Sequence, residues 1–474
     1  MYDLIVIGSG PAGEKGAAQA AYFGKSVALI ERAPVLGGAG VNTGTVPSKT
    51  LRESALHISG FRQRGFRETV EMKIKSNVSV AEFMHRKNLV VEREWKRIED
   101  NLRRHLVDRY VGSARFLSPN RLEIDTPAGA TVLEGNIILI ATGSSPYRPS
   151  DVPFDDVTVC DSDTILQIDR IPQTMAVVGA GVIGCEYASI FGALGVDVHL
   201  IDGRTTLLPH IDREIVRILL GELENRLGVT LHLGCEVDTI ERVDRQVALT
   251  LKDGTSMVVD ILLYAAGRVS NTADLHLEAA GVQTGKRGLL PVNERYQTST
   301  PNIYAAGDVI GFPALASTSM EQARVAMVHA FDLKYKTRVA ANLPYGIYTI
   351  PELSTIGLTE EQCREKGMNI EVGRAFYRSN ARGQIIGDTK GMIKLVFDAE
   401  DLRLLGVHIV GENASEILHI GMMVMQFGGT INAFIESVFN FPTLSEAYKY
   451  AAYDGLGSLA RERAGRQAAV KELA

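Results

Sequence analysis

Near its start the chain reads LIVIGSGPAG over residues 4–13, and a similar arrangement returns as AVVGAGVIG over residues 176–184. In each copy a short apolar run leads into spaced glycines, and a second apolar run follows, VALIE at 27–31 and VHLID at 198–202. A strand, a glycine turn, a helix and a second strand in this order form a βαβ unit, whose two strands are parallel. The sequence therefore predicts an α/β fold with two Rossmann-like dinucleotide-binding domains.

The three glycines of such a turn have different tasks. The first permits a tight turn, the second lets the backbone approach a pyrophosphate, and the third allows the helix to pack closely against the strand. They are Gly8, Gly10 and Gly13 in the first copy and Gly179, Gly181 and Gly184 in the second. The N-terminus of the following helix adds N–H groups and partial positive charge. We predict that each turn binds the pyrophosphate of one dinucleotide.

An acidic residue ends the second strand of each copy. Glu31 and Asp202 can accept hydrogen bonds from the ribose hydroxyls of an adenosine. At Asp202 a 2′-phosphate would meet like charge, which favours NAD(H) over NADP(H). Arg204 stands two residues further on and could pair with such a phosphate, or it could be a solvated loop residue. The sequence alone leaves both interpretations of Arg204 open.

Three further apolar runs end in glycine and are typical of strands that lead into a binding site. They read IILIATG at 137–143, ILLYAAG at 261–267 and IYAAGD at 303–308. The residues that they add to the candidate site are Thr142, Gly143, Gly267, Gly307 and Asp308. Of these, Asp308 is suited to accept hydrogen bonds from the hydroxyls of a sugar or of a ribityl chain.

Composition limits the classes of function. The 474 residues carry a net charge of −6, and 45% of them are apolar and 22% charged. A chain of this kind forms a soluble protein of roughly two to four domains, and its charge gives no reason to expect nucleic acid or a membrane as partner. The four cysteines have no CxxC spacing, and the ten histidines suggest no metal site. We expect reduced thiols, no metal and a cytoplasmic location.

The duplicated pattern also predicts the domain organisation. Residues 1–150 and 270–340 form a discontinuous first domain, and residues 151–269 form the second dinucleotide-binding domain, which is inserted into it. After residue 341 the sequence changes to alternating strands, such as MIKLV at 392–396, and a small-residue helix. We interpret residues 341–474 as a separate α+β domain.

Together these motifs resemble those of the FAD/NAD-linked (class I) pyridine nucleotide-disulfide oxidoreductase family, in the expected order and over nearly the whole chain. The resemblance implies that the first domain binds FAD, with Glu31 at the adenosine ribose and Asp308 at the ribityl chain. It implies that the second domain binds NAD(P), and that residues 341–474 are a dimerisation domain. The protein is therefore expected to be a homodimer or a higher homo-oligomer.

The resemblance also assigns further residues to the site. Lys49 and Glu186 correspond to a catalytic ion pair beside the flavin. The other positions assigned to cofactor binding are Arg32, Gly38, Thr45 and Ala316.

Two departures from the family pattern concern its disulfide chemistry. Members that reduce disulfides carry a cysteine pair in a GGxCxNxGCxPSK segment, where this chain reads GGAGVNTGTVPSK over residues 37–49. Gly40 and Thr45 occupy the two cysteine positions, and neither can form a disulfide or a thiolate. The family's catalytic His before Pro is Phe441 here, and a phenyl ring carries no proton. The nucleophile, the resolving thiol and the base are therefore all absent from these positions.

Within the family, the segments GTVPSK at 44–49, GVIGCEYAS at 181–189 and YTIPE at 348–352 are similar to those of the soluble pyridine-nucleotide transhydrogenases, which usually keep a cysteine where this chain has Gly40. That resemblance implies ping-pong transfer of hydride between NADPH and NAD+, in either direction, through tightly bound FAD. Two alternatives stay open: an NAD(P)H:quinone or dye reductase (a diaphorase) of the same fold, and a non-catalytic FAD-binding scaffold or redox sensor.

Overall fold

The structure is a computed structural model that describes residues 1–59 and 80–472. These residues divide into two compact units. Unit 1 contains residues 1–51, 80–169 and 264–341, and unit 2 contains residues 52–59, 170–263 and 342–472. Residues 60–79 and 473–474, which the predicted first and third domains include, lie outside the described residues. Unit 2 thus combines much of the predicted second and third domains, and the division into three domains stays a prediction.

Unit 1 is built around a parallel sheet. Its strands are β1 (Tyr2–Ile7), β2 (Val27–Glu31), β3 (Asp108–Val111), β4 (Ser113–Ser118), β5 (Arg121–Thr126), β6 (Gly129–Ile140), β7 (Ser144–Pro146), β8 (Val159–Cys160), β16 (Arg268–Ser270) and β17 (Ile303–Ala305). Strands β3, β2, β1, β6 and β17 lie side by side in that order and run parallel. Strands β4 and β5 pair antiparallel with each other and with the first half of β6, and β7 and β16 form a separate ribbon.

Helices cover one face of β1 and its neighbours, and strands β4 and β5 together with 3-10 turns cover the other face. The helices of unit 1 are α1 (Pro11–Tyr22), α2 (Gly38–Asn42), α4 (Val80–Arg104), α7 (Ala316–Ala330) and the start of α3 (Thr45–Ile58), with 3-10 turns at Thr164–Gln167, Ala273–Leu275, Leu277–Ala280, Lys286–Gly288 and Asp308–Ile310. Because side chains alternate along a strand, Leu4 and Val6 pack against Ala17 and Met327 of α1 and α7. Ile5 faces the opposite side and a second apolar cluster.

The first part of unit 2 repeats the strand–turn–helix pattern. Its elements are β9 (Thr174–Val178), α5 (Val182–Ala193), β10 (Asp197–Asp202), α6 (Arg213–Asn225), β11 (Thr230–Leu233), β12 (Val237–Val243), β13 (Gln246–Leu251), β14 (Ser256–Val259) and β15 (Ile261–Tyr264). Strands β11, β10 and β9 are parallel neighbours, and β15 follows β9 in the sheet. Strands β12 to β14 form an antiparallel meander. The two predicted βαβ units are thus both present.

The second part of unit 2 is an antiparallel sheet with helices packed against it. Its elements are β18 (Tyr345–Ile347), β19 (Leu353–Gly357), α8 (Glu360–Glu365), β20 (Ile370–Phe376), a 3-10 turn (Tyr377–Ser379), α9 (Ala381–Ile386), β21 (Met392–Asp398), β22 (Leu404–Val410), α10 (Ala414–Gln426), α11 (Asn432–Glu436), a 3-10 turn (Leu444–Glu446) and α12 (Ala447–Glu472). The strand order is β18-β19-β22-β21-β20. A Cβ at Gly373 would lie 1.9 Å from the carbonyl oxygen of Ala451, so glycine there lets α12 pack directly on β20.

Among the described residues, no helix combines the length and the apolarity that crossing a membrane requires.

Candidate functional site

The first glycine turn has the geometry that its sequence predicts. Gly8 has a φ of +101°, and a Cβ there would lie 2.4 Å from the carbonyl oxygen of Ala141. A Cβ at Gly13 would lie 1.8 Å from the carbonyl oxygen of Gly8, so only glycine permits this contact between α1 and β1. A Cβ at Gly10 would meet no atom closer than 3.9 Å. The turn is therefore tightly packed at Gly8 and Gly13 and open at Gly10. The open position lies beside the N-terminus of α1, where an anion is stabilised.

Glu31 is anchored on this turn. One oxygen of its buried carboxylate, Oε2, accepts hydrogen bonds from the backbone N–H of Ser9 at 2.9 Å and from the Ser9 hydroxyl at 2.7 Å. The other oxygen, Oε1, accepts from the N–H of Ala33 at 2.9 Å, and the Ser9 hydroxyl accepts from the N–H of Gly37 at 3.0 Å. Ser9 was missed by sequence reasoning, although its place between the glycines and beside the end of β2 could have indicated it.

The other predicted strand-end residues of unit 1 surround the same turn. A Cβ at Gly8 would lie 3.3 Å from the Cα of Thr142, one at Gly38 would lie 2.8 Å from the Cα of Gly10, and one at Gly307 would lie 3.3 Å from the Cβ of Ala12. The structure therefore brings together segments that are far apart in the sequence, and it places them at the carboxyl ends of β1, β6 and β17, where parallel sheets bind ligands.

A hydroxyl and a carboxylate at these strand ends have different environments. The hydroxyl oxygen Oγ1 of Thr142 is buried and has no hydrogen-bond partner. Asp308 is half-buried, and its Oδ2 accepts from the hydroxyl of Ser144 at 3.0 Å. The N–H of Gly307 donates to Oε1 of the buried Gln322 at 2.9 Å, a contact that the sequence did not indicate. A buried unpaired hydroxyl costs free energy, so Thr142 points to a ligand group that would satisfy it.

The segment that aligns with the family's cysteine pair forms α2 and the start of α3. A Cβ at Gly40 would lie 2.9 Å from Cγ of Pro11, so the segment packs tightly on α1. Thr45 is the first residue of α3 and is exposed. Lys49, one turn further along the helix, is half-buried, and its Nζ lies 3.3 Å from the hydroxyl of Ser48.

The second glycine turn, in unit 2, has the same geometry as the first. Gly179 has a φ of +106°, and a Cβ at Gly184 would lie 1.8 Å from the carbonyl oxygen of Gly179. A Cβ at Gly181 would meet no atom within 4 Å. The N-terminus of α5 begins at Val182 beside this open position. Both predicted turns therefore leave room for a phosphate at the middle glycine.

Asp202 ends β10, is buried and binds Arg204. Its Oδ1 accepts from the N–H of Arg204 at 2.8 Å and from Nε of the same residue at 2.9 Å. Its Oδ2 accepts from Nη2 of Arg204 at 2.7 Å and from the N–H of Ala180 at 2.6 Å. Burial alone would raise the pKa of Asp202, but these hydrogen bonds and the charge of Arg204 outweigh it and lower that pKa. In the structure Arg204 is therefore paired with Asp202, and its binding of a phosphate stays a prediction.

Glu186 lies on α5 and is buried. Its Oε1 accepts from the backbone N–H of Tyr348 at 2.9 Å, and the hydroxyl of Ser189, one turn further along, accepts from the N–H of Ile350 at 3.1 Å. These two contacts fix α5 to the 348–350 segment within unit 2. Glu186 belongs to unit 2 and Lys49 to unit 1, and their pairing stays a prediction.

The remaining predicted residues lie at element ends. Arg32 follows β2 and is exposed, and Ala316 is the first residue of α7. Gly267 has a φ of +134° between β15 and β16, a conformation that favours glycine. Their contacts with a cofactor stay predictions.

All four cysteines lie among the described residues and are free: Cys160, Cys185, Cys235 and Cys363. Burial raises the pKa of Cys160 to about 12 and also raises the pKa values of Cys185 and Cys363, so these three thiols are poor nucleophiles at neutral pH. Within residues 1–59 and 80–472, no group of three or more His, Cys, Asp and Glu residues could hold a metal ion.

Comparison with known proteins gives matches over nearly the whole chain. Residues 2–330 match the family model described as pyridine nucleotide-disulphide oxidoreductase, and residues 343–452 match the dimerisation domain of that family. The soluble pyridine nucleotide transhydrogenase of Mycobacterium bovis (strain BCG / Pasteur 1173P2) is 45% identical over 460 residues, which are 97% of this chain and 98% of that protein.

Solved structures give the same picture. The HOCl-induced flavoprotein disulfide reductase RclA from Escherichia coli superposes with a TM-score of 0.86 at 30% identity, over 95% of this chain and 99% of that one. LpdA from Mycobacterium tuberculosis superposes with a TM-score of 0.88 at 26% identity, over the same shares of the two chains.

Proposed function

The chain belongs to the pyridine nucleotide-disulphide oxidoreductase family, and from this premise we propose that it is a flavin-dependent transhydrogenase that moves hydride between NADPH and NAD+ in either direction. One observation supports this most strongly. Both glycine turns have the geometry for a dinucleotide, whereas Gly40 and Thr45 stand where disulfide-reducing members have cysteines. The name of the Mycobacterium bovis relative agrees with the proposal.

FAD fits the first glycine turn and the strand ends around it. The open position at Gly10, the anchored carboxylate of Glu31 and the unpaired hydroxyl of Thr142 suit the phosphate and hydroxyl groups of a dinucleotide. We assign to FAD the residues Gly8, Gly10, Gly13, Glu31, Arg32, Gly38, Thr45, Lys49, Thr142, Gly143, Gly267, Gly307, Asp308 and Ala316. When bound, FAD supplies the redox chemistry, because it can accept a hydride from one pyridine nucleotide and return it to another.

The second turn would bind both coenzymes in succession. The N–H groups at the start of α5, beside the open position at Gly181, would hold the pyrophosphate. Asp202 would bind the ribose hydroxyls of NAD(H), and Arg204 would bind the 2′-phosphate of NADP(H). Because the two coenzymes would occupy one site, the first product must leave before the second substrate enters, which predicts ping-pong kinetics.

We assign catalytic roles to Lys49 and Glu186 from the family resemblance. The positive charge of Lys49 would stabilise the negative charge that arrives with a hydride. Glu186 would hold the Lys49 ammonium in place, since one oxygen of this buried carboxylate is itself fixed by the N–H of Tyr348. Positioning and electrostatics are thus the contribution of the protein.

We propose that the protein is a cytoplasmic homodimer of three-domain subunits, joined through residues 341–474. This segment exposes Val438, Phe441 and Phe427, whose exposed fractions are 95%, 72% and 78%. Large exposed apolar side chains are typical of a surface that another protein covers.

A steady-state assay tests the function. Flavin-loaded protein mixed with NADPH and NAD+ under anaerobic conditions, without any thiol reagent, should form NADH. A quinone that is reduced much faster than NAD+ would favour the diaphorase alternative. A bound flavin that neither NADPH nor NADH bleaches would favour the scaffold.

A further inference from the structure

The side chain of Asp202 is saturated with hydrogen bonds from its own loop. A carboxylate offers about four acceptor positions, and the N–H groups of Ala180 and Arg204 together with Nε and Nη2 of Arg204 supply two donors to each oxygen. The ribose hydroxyls of a coenzyme could therefore bind Asp202 only if the Arg204 side chain leaves. In the structure the acceptor positions of Asp202 are thus occupied by its own loop.

The closed pair is suited to NADP(H) instead. A 2′-phosphate beside Asp202 would ordinarily meet like charge, but the bidentate ion pair with Arg204 offsets part of the charge of that carboxylate. The guanidinium of Arg204 binds Asp202 through Nε and Nη2, not through Nη1, and the side chain is 48% exposed. It can bind a phosphate at the same time, because guanidinium and phosphate match in geometry and charge.

Only the side chain of Arg204 needs to move for its ion pair with Asp202 to open. The loop backbone is held by bonds from the N–H of Gly234 to the carbonyl of Arg204 at 2.9 Å and from the N–H of Cys235 to the carbonyl of Asp202 at 3.2 Å. Side chains at such an exposure change rotamers readily, so the pair can open although its geometry is bidentate and Asp202 is buried.

We infer that Asp202 and Arg204 form a coenzyme switch, in which the closed pair binds NADP(H) through its guanidinium and the opened pair binds NAD(H) through the freed carboxylate. Each coenzyme then loses part of its binding free energy. NAD(H) must break the ion pair between Asp202 and Arg204, and NADP(H) places its 2′-phosphate near the carboxylate of Asp202. This inference rests on the proposed function, in which both coenzymes are substrates of one site.

Calorimetric titration of flavin-loaded protein with ADP and with 2′,5′-ADP tests the switch without any hydride transfer. In Arg204→Gln, 2′,5′-ADP should bind about tenfold or more weakly, because a charge-assisted contact is lost. ADP should bind more tightly than to wild type, because Asp202 is free to accept. Added salt should weaken 2′,5′-ADP more than ADP in wild type, and this difference should vanish in the variant.

Opposite shifts for the two probes are the signature of a switch. Weaker binding of both, or no change in ADP binding, would overturn it. Arg204→Lys is a second variant, for the case that Arg204→Gln misfolds. Lysine keeps the charge but loses the bidentate geometry, so ADP should again bind more tightly. Arg403→Gln is the matched control, since Arg403 also follows an aspartate, Asp401, by two residues and is 52% exposed. Opposite shifts of the two probes in a protein that shows no transhydrogenase activity would refute the proposed function but would still support the switch formed by Asp202 and Arg204.

Discussion

The ammonium group of Lys394 lies 2.9 Å from Oδ1 of Asp212, and both side chains are almost completely buried. Two further carboxylates bind the same nitrogen, Glu214 at 3.1 Å and Glu360 at 2.8 Å, and Arg374 binds Glu214 at 2.8 Å. The network joins the start of α6, with its N-cap Asp212, to α8 and strands β20 and β21. It is thus a buried connection between the coenzyme-binding part and the antiparallel sheet of unit 2.

Replacing Lys394 should destabilise unit 2 strongly. Lys394→Met fills the same space but leaves three carboxylates without their shared cation, and removing one partner of a buried ion pair costs about 3–5 kcal/mol. Hydrogen exchange at the amides of β20 and β21 should accelerate accordingly. The control is Lys366→Met, which replaces an exposed lysine of the same unit. Equal exchange rates in the two variants would show that the network contributes no net stability.

The same network sets a pH dependence. Burial alone would raise the pKa values of Asp212, Glu214 and Glu360, but neighbouring groups lower them below the ordinary 3.8 for Asp and 4.5 for Glu. His408 acts first at Asp212 and Arg374 at Glu214, and Lys394 lowers all three pKa values. A carboxylate with a lowered folded-state pKa stabilises the protein above its unfolded pKa and loses this effect as pH falls through the folded value. In Lys394→Met, burial raises the pKa of the carboxylates that lose their shared cation, so they are protonated before those of wild type as pH falls. The stability advantage of wild type over Lys394→Met should therefore be full at neutral pH and shrink as pH falls towards the lowered wild-type pKa values. A difference that is constant down to pH 2 would contradict this.

At the first glycine turn, Thr142→Val should weaken flavin retention. The substitution removes the buried unpaired hydroxyl and keeps the shape, so the polypeptide itself should lose no stability. If FAD satisfies this hydroxyl, FAD should dissociate about tenfold faster, as measured by the fluorescence of released flavin. Thr131→Val, at an exposed position on β6, the strand that precedes Thr142, is the matched control. Equal release rates in both variants would remove Thr142 from the FAD site.

At the second turn, Asp202→Asn should shift the ratio of coenzyme affinities towards NADP(H). An amide is a poorer acceptor for ribose hydroxyls and carries no charge to repel a 2′-phosphate, and such charged hydrogen bonds correspond to roughly tenfold or more in affinity. Dissociation constants for NADH and NADPH measure the ratio directly. Asp401→Asn serves as the control, because Asp401 also precedes an arginine by two residues. An unchanged ratio would exclude Asp202 from coenzyme selection.

The sequence predicted the glycine turns and the α/β fold class correctly, because Gly8, Gly13, Gly179 and Gly184 are required by local backbone geometry. The family matches confirm the fold class and the family. The role of Ser9 was missed, since its contact with Glu31 depends on β1 and β2 lying side by side.

Other features of the site depend on tertiary contacts that no local pattern encodes. The bond from the N–H of Tyr348 to Glu186 joins segments 162 positions apart. The pairing of Arg204 with Asp202 depends on the conformation of the loop after β10, and the spacing of the two residues does not determine that conformation. In the sequence, Lys394 looks like a strand residue whose charge faces solvent. Its burial could not be predicted, because the carboxylates that surround it come from α6 and α8.

We propose that hydride enters and leaves the flavin through the nicotinamide coenzymes without any thiol. Stopped-flow spectroscopy tests it: flavin-loaded Cys235→Ser protein, alkylated with N-ethylmaleimide, is reduced with one equivalent of NADPH and then mixed anaerobically with NAD+. We predict that the flavin absorbance returns as fast as in untreated protein, with one equivalent of NADH formed. A flavin that stays bleached in the presence of NAD+, or whose recovery is abolished by alkylation, would contradict the account.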